Sequence, residues 1–167
     1  MGIFVSSEIG PLTKVLLQQP GRELEHLSPE TMEQLLFDDI PYLHRAQAEH
    51  DRFAELLREN GAEVSYLDSL MAEVLEKKPA LREPFVSDVI EKAGGSARGY
   101  REALTAYLLS MQDVRTLVRK TMAGVTYEEV FADHAAGLSG LVREKTRFLM
   151  PPIPNLYFTR DPFACIG

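Results

Sequence analysis

The spacing of apolar residues changes near Ser69 and changes back near Phe148, and this constrains the fold more than any other feature of the chain. Between those points every pattern has a helical period. The first helix is predicted over 70–77 and a second over 79–92, stopped at Gly94-Gly95. A third covers 98–111, with Leu104, Tyr107, Leu108 and Met111 on one side. Asp113 is placed to cap a fourth, which ends at Gly124. Thr126 and Glu129 have the spacing of a capping box for a short fifth helix. A helical stretch of this length inside a mixed chain predicts an inserted helical bundle over 69–148.

The flanks read differently. The apolar run over 14–17 ahead of Pro20-Gly21 predicts a buried strand ending in a turn. Ser28 followed by Pro29 is a helix start, with the serine as N-cap and the proline where no N–H is needed, for a short helix through Leu36. Asp38-Asp39-Ile40-Pro41 breaks it. A longer helix is predicted over 42–60, closed by Gly61 at the position that takes positive φ. Residues 63–67 alternate with period two and predict a second strand. Strand, helix, strand in this order favours a βαβ-type unit with parallel pairing. On the far side of the bundle, four of the ten prolines fall between 151 and 162. Residues 155–160 are aromatic and β-favouring and predict a strand, and 163–167 predict the start of another. An ending on an apolar strand reads as a truncated chain or a proteolytic fragment. The organisation expected is therefore a partial α/β domain over 1–68 and 149–167, interrupted by an all-α insertion over 69–148.

Composition excludes several classes. The chain is 45% hydrophobic and 26% charged, the balance of a folded domain. No apolar run reaches the length of a membrane span, and the N-terminus lacks a secretory signal. Gly2 matches the lipidation pattern weakly. A net charge of −7 argues against nucleic acid, which needs a basic face. Cys165 is the only cysteine, so no internal disulfide forms, and the composition suits the cytoplasm.

Chemistry-bearing residues are few. The Gly-rich phosphate loop, paired CxxC, HExxH and GxSxG are all absent from the sequence. Among His26, His44, His50 and His134, the pair His44 and His50 is six apart, which does not share a helix face as a metal pair would. Ordinary surface or half-buried side chains are expected for all four, and no metal. Asp38 and Asp39 read as turn and cap residues. Asp133-His134 as a dyad is disfavoured, because sequence neighbours point apart. Asp161 stands out. It lies between Arg160 and Pro162, and proline holds the preceding residue extended. A carboxylate so held can accept two parallel N–H bonds from a planar guanidinium. A local ion pair with Arg160 or a turn cap is the competing reading.

Three blocks, in order, resemble the arginine deiminase family. The first runs Ser7-Glu8-Ile9-Gly10 through Gln19-Pro20-Gly21-Arg22-Glu23-Leu24. The second is Leu35-Leu36-Phe37-Asp38-Asp39-Ile40-Pro41. The third runs Leu149-Met150-Pro151-Pro152-Ile153-Pro154-Asn155 through Phe158-Thr159-Arg160-Asp161. The resemblance implies an α/β fold: the first ββαβ-type module of a five-fold pseudosymmetric α/β propeller, carrying an inserted all-α helical bundle. It also implies a cofactor-free and metal-free hydrolysis of L-arginine to citrulline and ammonia through a covalent amidino intermediate on a cysteine. Carried over by residue, Asp161 matches a guanidinium-binding carboxylate, and Leu36, Asn155 and Phe158 match positions lining the substrate. Strict strand alternation would put Asn155 and Asp161 on one face and Phe158 on the other, so a bend after Phe158 is required. The family's nucleophilic cysteine and its catalytic histidine and glutamate have no counterpart in this sequence. Cys165 sits in an apolar Phe-Ala-Cys-Ile context and reads as a buried structural thiol. These 167 residues alone are thus expected to be inactive, and to self-associate through uncovered apolar edges. The alternatives are a related guanidine-modifying enzyme, such as an amidinotransferase or an agmatine or methylarginine hydrolase, and a non-catalytic helical interaction or oligomerisation module.

Overall fold

The structure is a computed structural model that describes residues 5, 7, 9–27, 32, 37–132 and 148–160. The helix expected over 28–36 lies almost entirely outside these residues. The strand expected over 163–167 lies outside them, as do Leu36, Asp133, His134, Asp161 and Cys165.

Strand β1 (Lys14–Leu17) pairs in parallel with β2 (Glu63–Tyr66), Val15 opposite Val64 and Leu17 opposite Tyr66. Parallel strands need a crossover, and helix α1 (Leu43–Glu59) supplies it. Gly61 stops that helix at φ +88°, a conformation a side chain would strain, and its N–H donates to the Arg58 carbonyl at 2.9 Å. The βαβ unit expected from the sequence is present. A 3-10 turn at Arg22–His26, which no pattern signalled, follows β1.

The helical part begins two residues earlier than expected, with α2 (Leu67–Lys77) leaving β2 directly. Pro79 opens a 3-10 turn (Pro79–Leu81) that leads into α3 (Arg82–Lys92). The helix expected over 98–111 is two helices, α4 (Gly95–Gly99) and α5 (Arg101–Ser110). Tyr100 divides them, at φ −115° and ψ 22°, because its ring is drawn edge-on against Tyr127 and Phe131. Helix α6 (Val114–Ala123) is capped as the sequence predicts: Asp113 Oδ2 accepts the Thr116 N–H at 2.7 Å. Arg82 donates to the carbonyls of Leu109 and Met111, closing the end of α5.

Helices α3, α5 and α6 bury one cluster that includes Val86, Ile90, Leu104, Leu108 and Leu117. A second cluster joins α2 to α6 through Ala72, Leu75, Val118 and Met122. Each large aliphatic side chain removed from water here contributes roughly 1.5–3 kcal/mol.

The stretch over 69–148 is not purely helical. A two-residue strand, β3 (Val125–Thr126), pairs antiparallel with β4 (Phe148–Met150). Gly124 makes this possible. It has φ +85°, and a Cβ there would lie 2.8 Å from the Met150 carbonyl oxygen and 2.8 Å from the Pro152 nitrogen. The capping box forms as predicted on helix α7 (Tyr127–Phe131): Thr126 accepts the Glu129 N–H, and Glu129 accepts the Thr126 N–H. Among the described residues no helix is long and apolar enough to cross a membrane.

Candidate functional site

The strand expected over 155–160 is instead a 3-10 helix (Pro154–Tyr157) followed by a turn at Thr159 and Arg160. Proline is the reason. Pro151, Pro152 and Pro154 offer no N–H for a ladder, and Pro154 sits at the helix start, where a missing donor costs nothing. The Asp161 part of the facing question lies outside the described residues. Asn155 lies in the helix, and Phe158 closes it three residues on. The Phe158 N–H donates to the Asn155 carbonyl at 3.1 Å, and both residues are exposed, Phe158 by 45%.

Three anchors hold this segment. At its entry the Ile153 N–H donates to the Met122 carbonyl at the end of α6, at 2.9 Å. In the middle Leu156 packs against the α2–α6 cluster, next to the fully buried Pro154. At its exit the Thr159 hydroxyl donates to the Leu16 carbonyl in β1, at 2.8 Å. The Tyr157 ring lies 6.3 Å from that of Phe37, the residue after Leu36. Positions from all three blocks of resemblance, around 16, 37 and 155–159, therefore meet at one surface. The structure brings Asn155 and Phe158 together there, while Leu36 and Asp161 lie outside the described residues.

A separate cleft of about 340 Å³ lies between the Arg22–His26 turn and α6. Asn155 and Phe158 do not line it. Three carboxylates line it, Glu23, Asp68 and Glu129, the first two each 3% exposed. Arg119 Nε donates to Asp68 Oδ2 at 2.7 Å, and the Asp68 N–H donates to the Gln18 side chain at 3.1 Å. Glu23 Oε1 accepts the Gly21 N–H at 2.7 Å. Burial raises the Glu23 carboxyl above its ordinary value, against the pull of its own and Gly21's N–H groups and of Arg119. Burial would raise Glu129 too, but Lys120 and the Thr126 N–H outweigh it and hold that carboxyl low. This network ties β1, the start of α2 and α6 together. Sequence patterns gave no sign of it, because its hydrogen-bonded partners across elements lie 50 and 51 positions apart.

The three described histidines are surface or half-buried side chains, as expected, and His134 lies outside the described residues. His26 is half-buried, edge-on to Phe148 at 4.9 Å, and burial, then Lys120, lowers it below 6.5. His50 is lowered by burial beside Phe53 and Tyr66. His44 is exposed. Asp39 acts as a turn residue, accepting the Ile40 N–H at 2.7 Å. Among the described residues no group of three or more His, Cys, Asp or Glu could hold a metal.

Comparison with known proteins finds relatives over nearly the whole chain. A family model described as arginine deiminase matches residues 33–167. A relative named arginine deiminase from Streptococcus sanguinis (strain SK36) is 50% identical over 167 residues, covering 99% of this chain and 41% of its own length. One of that name from Clostridium perfringens (strain SM101 / Type A) is 48% identical over 163 residues, covering 98% of this chain and 40% of its own. Another from Treponema denticola is 46% identical over 165 residues, with 99% and 40% covered. The chain thus spans about two fifths of the length of these curated relatives.

Proposed function

The chain belongs to the arginine deiminase family, and on that premise we propose that the whole enzyme hydrolyses L-arginine to L-citrulline and ammonia, with the surface around residues 155–161 forming one wall of its substrate site. The convergence of three sequence-distant blocks on that surface supports this reading most directly. Asn155 would hydrogen-bond the amino-acid end of the substrate. Phe158 and Leu36 would pack on its aliphatic stem. Asp161 would hold the guanidinium through paired N–H bonds.

The chemistry explains why such a clamp is needed. A guanidinium is cationic and resonance-stabilised, so its carbon must be held still while a thiolate approaches. The thiolate forms a C–S bond, and a C–N bond breaks as ammonia leaves with a transferred proton. Water then attacks the same carbon, breaks the C–S bond and releases citrulline. The thiolate, and the histidine and acid that would move the protons, are not assigned to any residue of this sequence. The 167 residues alone are therefore proposed to be inactive, and no cofactor is invoked.

The wider architecture follows the same reading. Residues 1–68 and 149–167 would form the first module of a five-fold α/β propeller, with 69–148 as the inserted bundle, in a cytoplasmic homo-oligomer that needs neither nucleic acid nor membrane.

The test is Asp161→Asn in a full-length arginine deiminase containing these residues. Truncating one partner of a desolvated charge pair costs roughly 3–4 kcal/mol, so kcat/KM for arginine should fall about 100- to 1,000-fold. Retention of wild-type turnover by this variant overturns the assignment. Preferred turnover of agmatine or a methylated arginine by the unmodified enzyme would redirect it to another guanidine-modifying activity.

A further inference from the structure

We propose that Thr159 is a positioning residue of the substrate site, its hydroxyl tethering the exit of the 155–159 segment to strand β1 so that Phe158 and the chain leading to Asp161 leave at a fixed angle. The inference rests on the function proposed above. Its basis is the bond from Thr159 Oγ1 to the Leu16 carbonyl, 2.8 Å long, half-buried, and joining residues 143 positions apart.

The other two anchors hold the entry and the middle of the segment. Ile153 is fixed by the Met122 carbonyl, and Leu156 by the α2–α6 cluster. After Tyr157 the 3-10 helix has ended: Phe158 sits at φ −83° and ψ 64°, and Thr159 and Arg160 form a turn. Phe158 is exposed and its ring lies on that of Tyr157, 4.0 Å away, within the same segment. The Thr159 hydroxyl ties the back of the segment to the sheet. It lies next to one substrate-lining position and two before the carboxylate. Paired hydrogen bonds to a planar guanidinium tolerate a misplacement of only about 0.5 Å, so a slack exit would be read directly by the substrate. Threonine suits the role: its branched Cβ stiffens χ1, and its hydroxyl reaches a main-chain acceptor in another element.

Thr159→Val keeps the shape and removes only the donor. In the full-length enzyme this variant should lower kcat/KM for arginine about five- to tenfold, the loss appearing as a raised KM with kcat nearly unchanged. Thr159→Ser, which restores the donor, should return KM to within about twofold of wild type. Thermal unfolding is measured alongside. A Val variant with wild-type KM overturns the proposal, as does a Ser variant no better than Val, or a lowered Tm with unaltered KM. Asp161→Asn is the control. If that variant keeps full activity, the site assignment and the tether fall together. If it is inactive while Thr159→Val behaves as wild type, the tether alone falls.

Discussion

The helical region and the parallel βαβ unit are built from similar proportions of apolar residues, yet they use them differently. In the helical region Val86, Ile90, Leu104, Leu108 and Leu117 are wholly buried against one another. In the βαβ unit the 17-residue α1 buries Ala54 alone, Phe53 is 51% exposed, Leu56 is exposed, and of the two strands only Leu17 is buried. The helices supply each other's cover at close range in sequence. A two-stranded parallel sheet with one crossover helix has too little surface to close a core, since parallel sheets are normally covered on both faces. Among the described residues, then, stability is concentrated in the helical region, and the unit carrying β1 borrows it through the network of Gln18, Asp68 and Arg119.

Substitutions should reveal this asymmetry. Leu104→Ala opens a cavity in the helical core and should cost roughly 2–5 kcal/mol, whereas Phe53→Ala on α1 should cost under about 1 kcal/mol. Equal losses in urea unfolding would erase the contrast. Gly124→Ala tests the junction between the helices and the 150–159 segment. The side chain would meet positive φ and two backbone atoms, at a cost of roughly 1–3 kcal/mol, with loss of amide protection at Val125 and Met150 in hydrogen exchange. Thr126→Ala removes the cap of α7 and should cost about 1 kcal/mol in Tm-derived stability, with Thr126→Ser close to wild type.

The smallest effect expected is on pH. His26 and His50 are both held below 6.5 in the folded chain, so they bind protons more weakly folded than unfolded. The stability they contribute is present above pH 6.5 and is lost as pH falls through their folded values. A Tm that declines on acidification from about 7.5 to 5.5, with a shallower decline in His26→Phe, is the expected record. A flat profile in the parent would dismiss it.

Local signals in the sequence proved readable. Asp113, the pair Thr126 and Glu129, Gly61 and Gly124 each act through neighbours within four residues or through their own φ, so their roles follow from spacing. The strands at 14–17 and 63–66 and their parallel pairing followed from apolar runs around a helix. What escaped was non-local or set by competition. The β3–β4 pair is too short to leave a period-two trace. Tyr100 splits a helix because of aromatic partners some 30 residues away. At 155–157, β-favouring side chains lost to the prolines around them. For the candidate site, Asn155 and Phe158 were found through resemblance, and Asp161 through its setting before Pro162 with resemblance added. Thr159 and the buried Glu23 were found only through contacts in space.

The bond between Thr159 and Leu16 also has a kinetic side. Closing a chain loop of 143 residues carries an entropic penalty that grows with the logarithm of its length. Contacts within the helical region pay far less, because their partners are near in sequence, so those helices should assemble on a faster timescale. Once assembled they act as a short rigid bridge: α2 begins where β2 ends, and the Met122 carbonyl at the end of α6 already grips Ile153. The distance left to search is then spanned by a handful of residues rather than by the whole chain. In refolding experiments, the polypeptide around Phe158 should therefore gain its native protection last, after the helices that deliver it to the sheet.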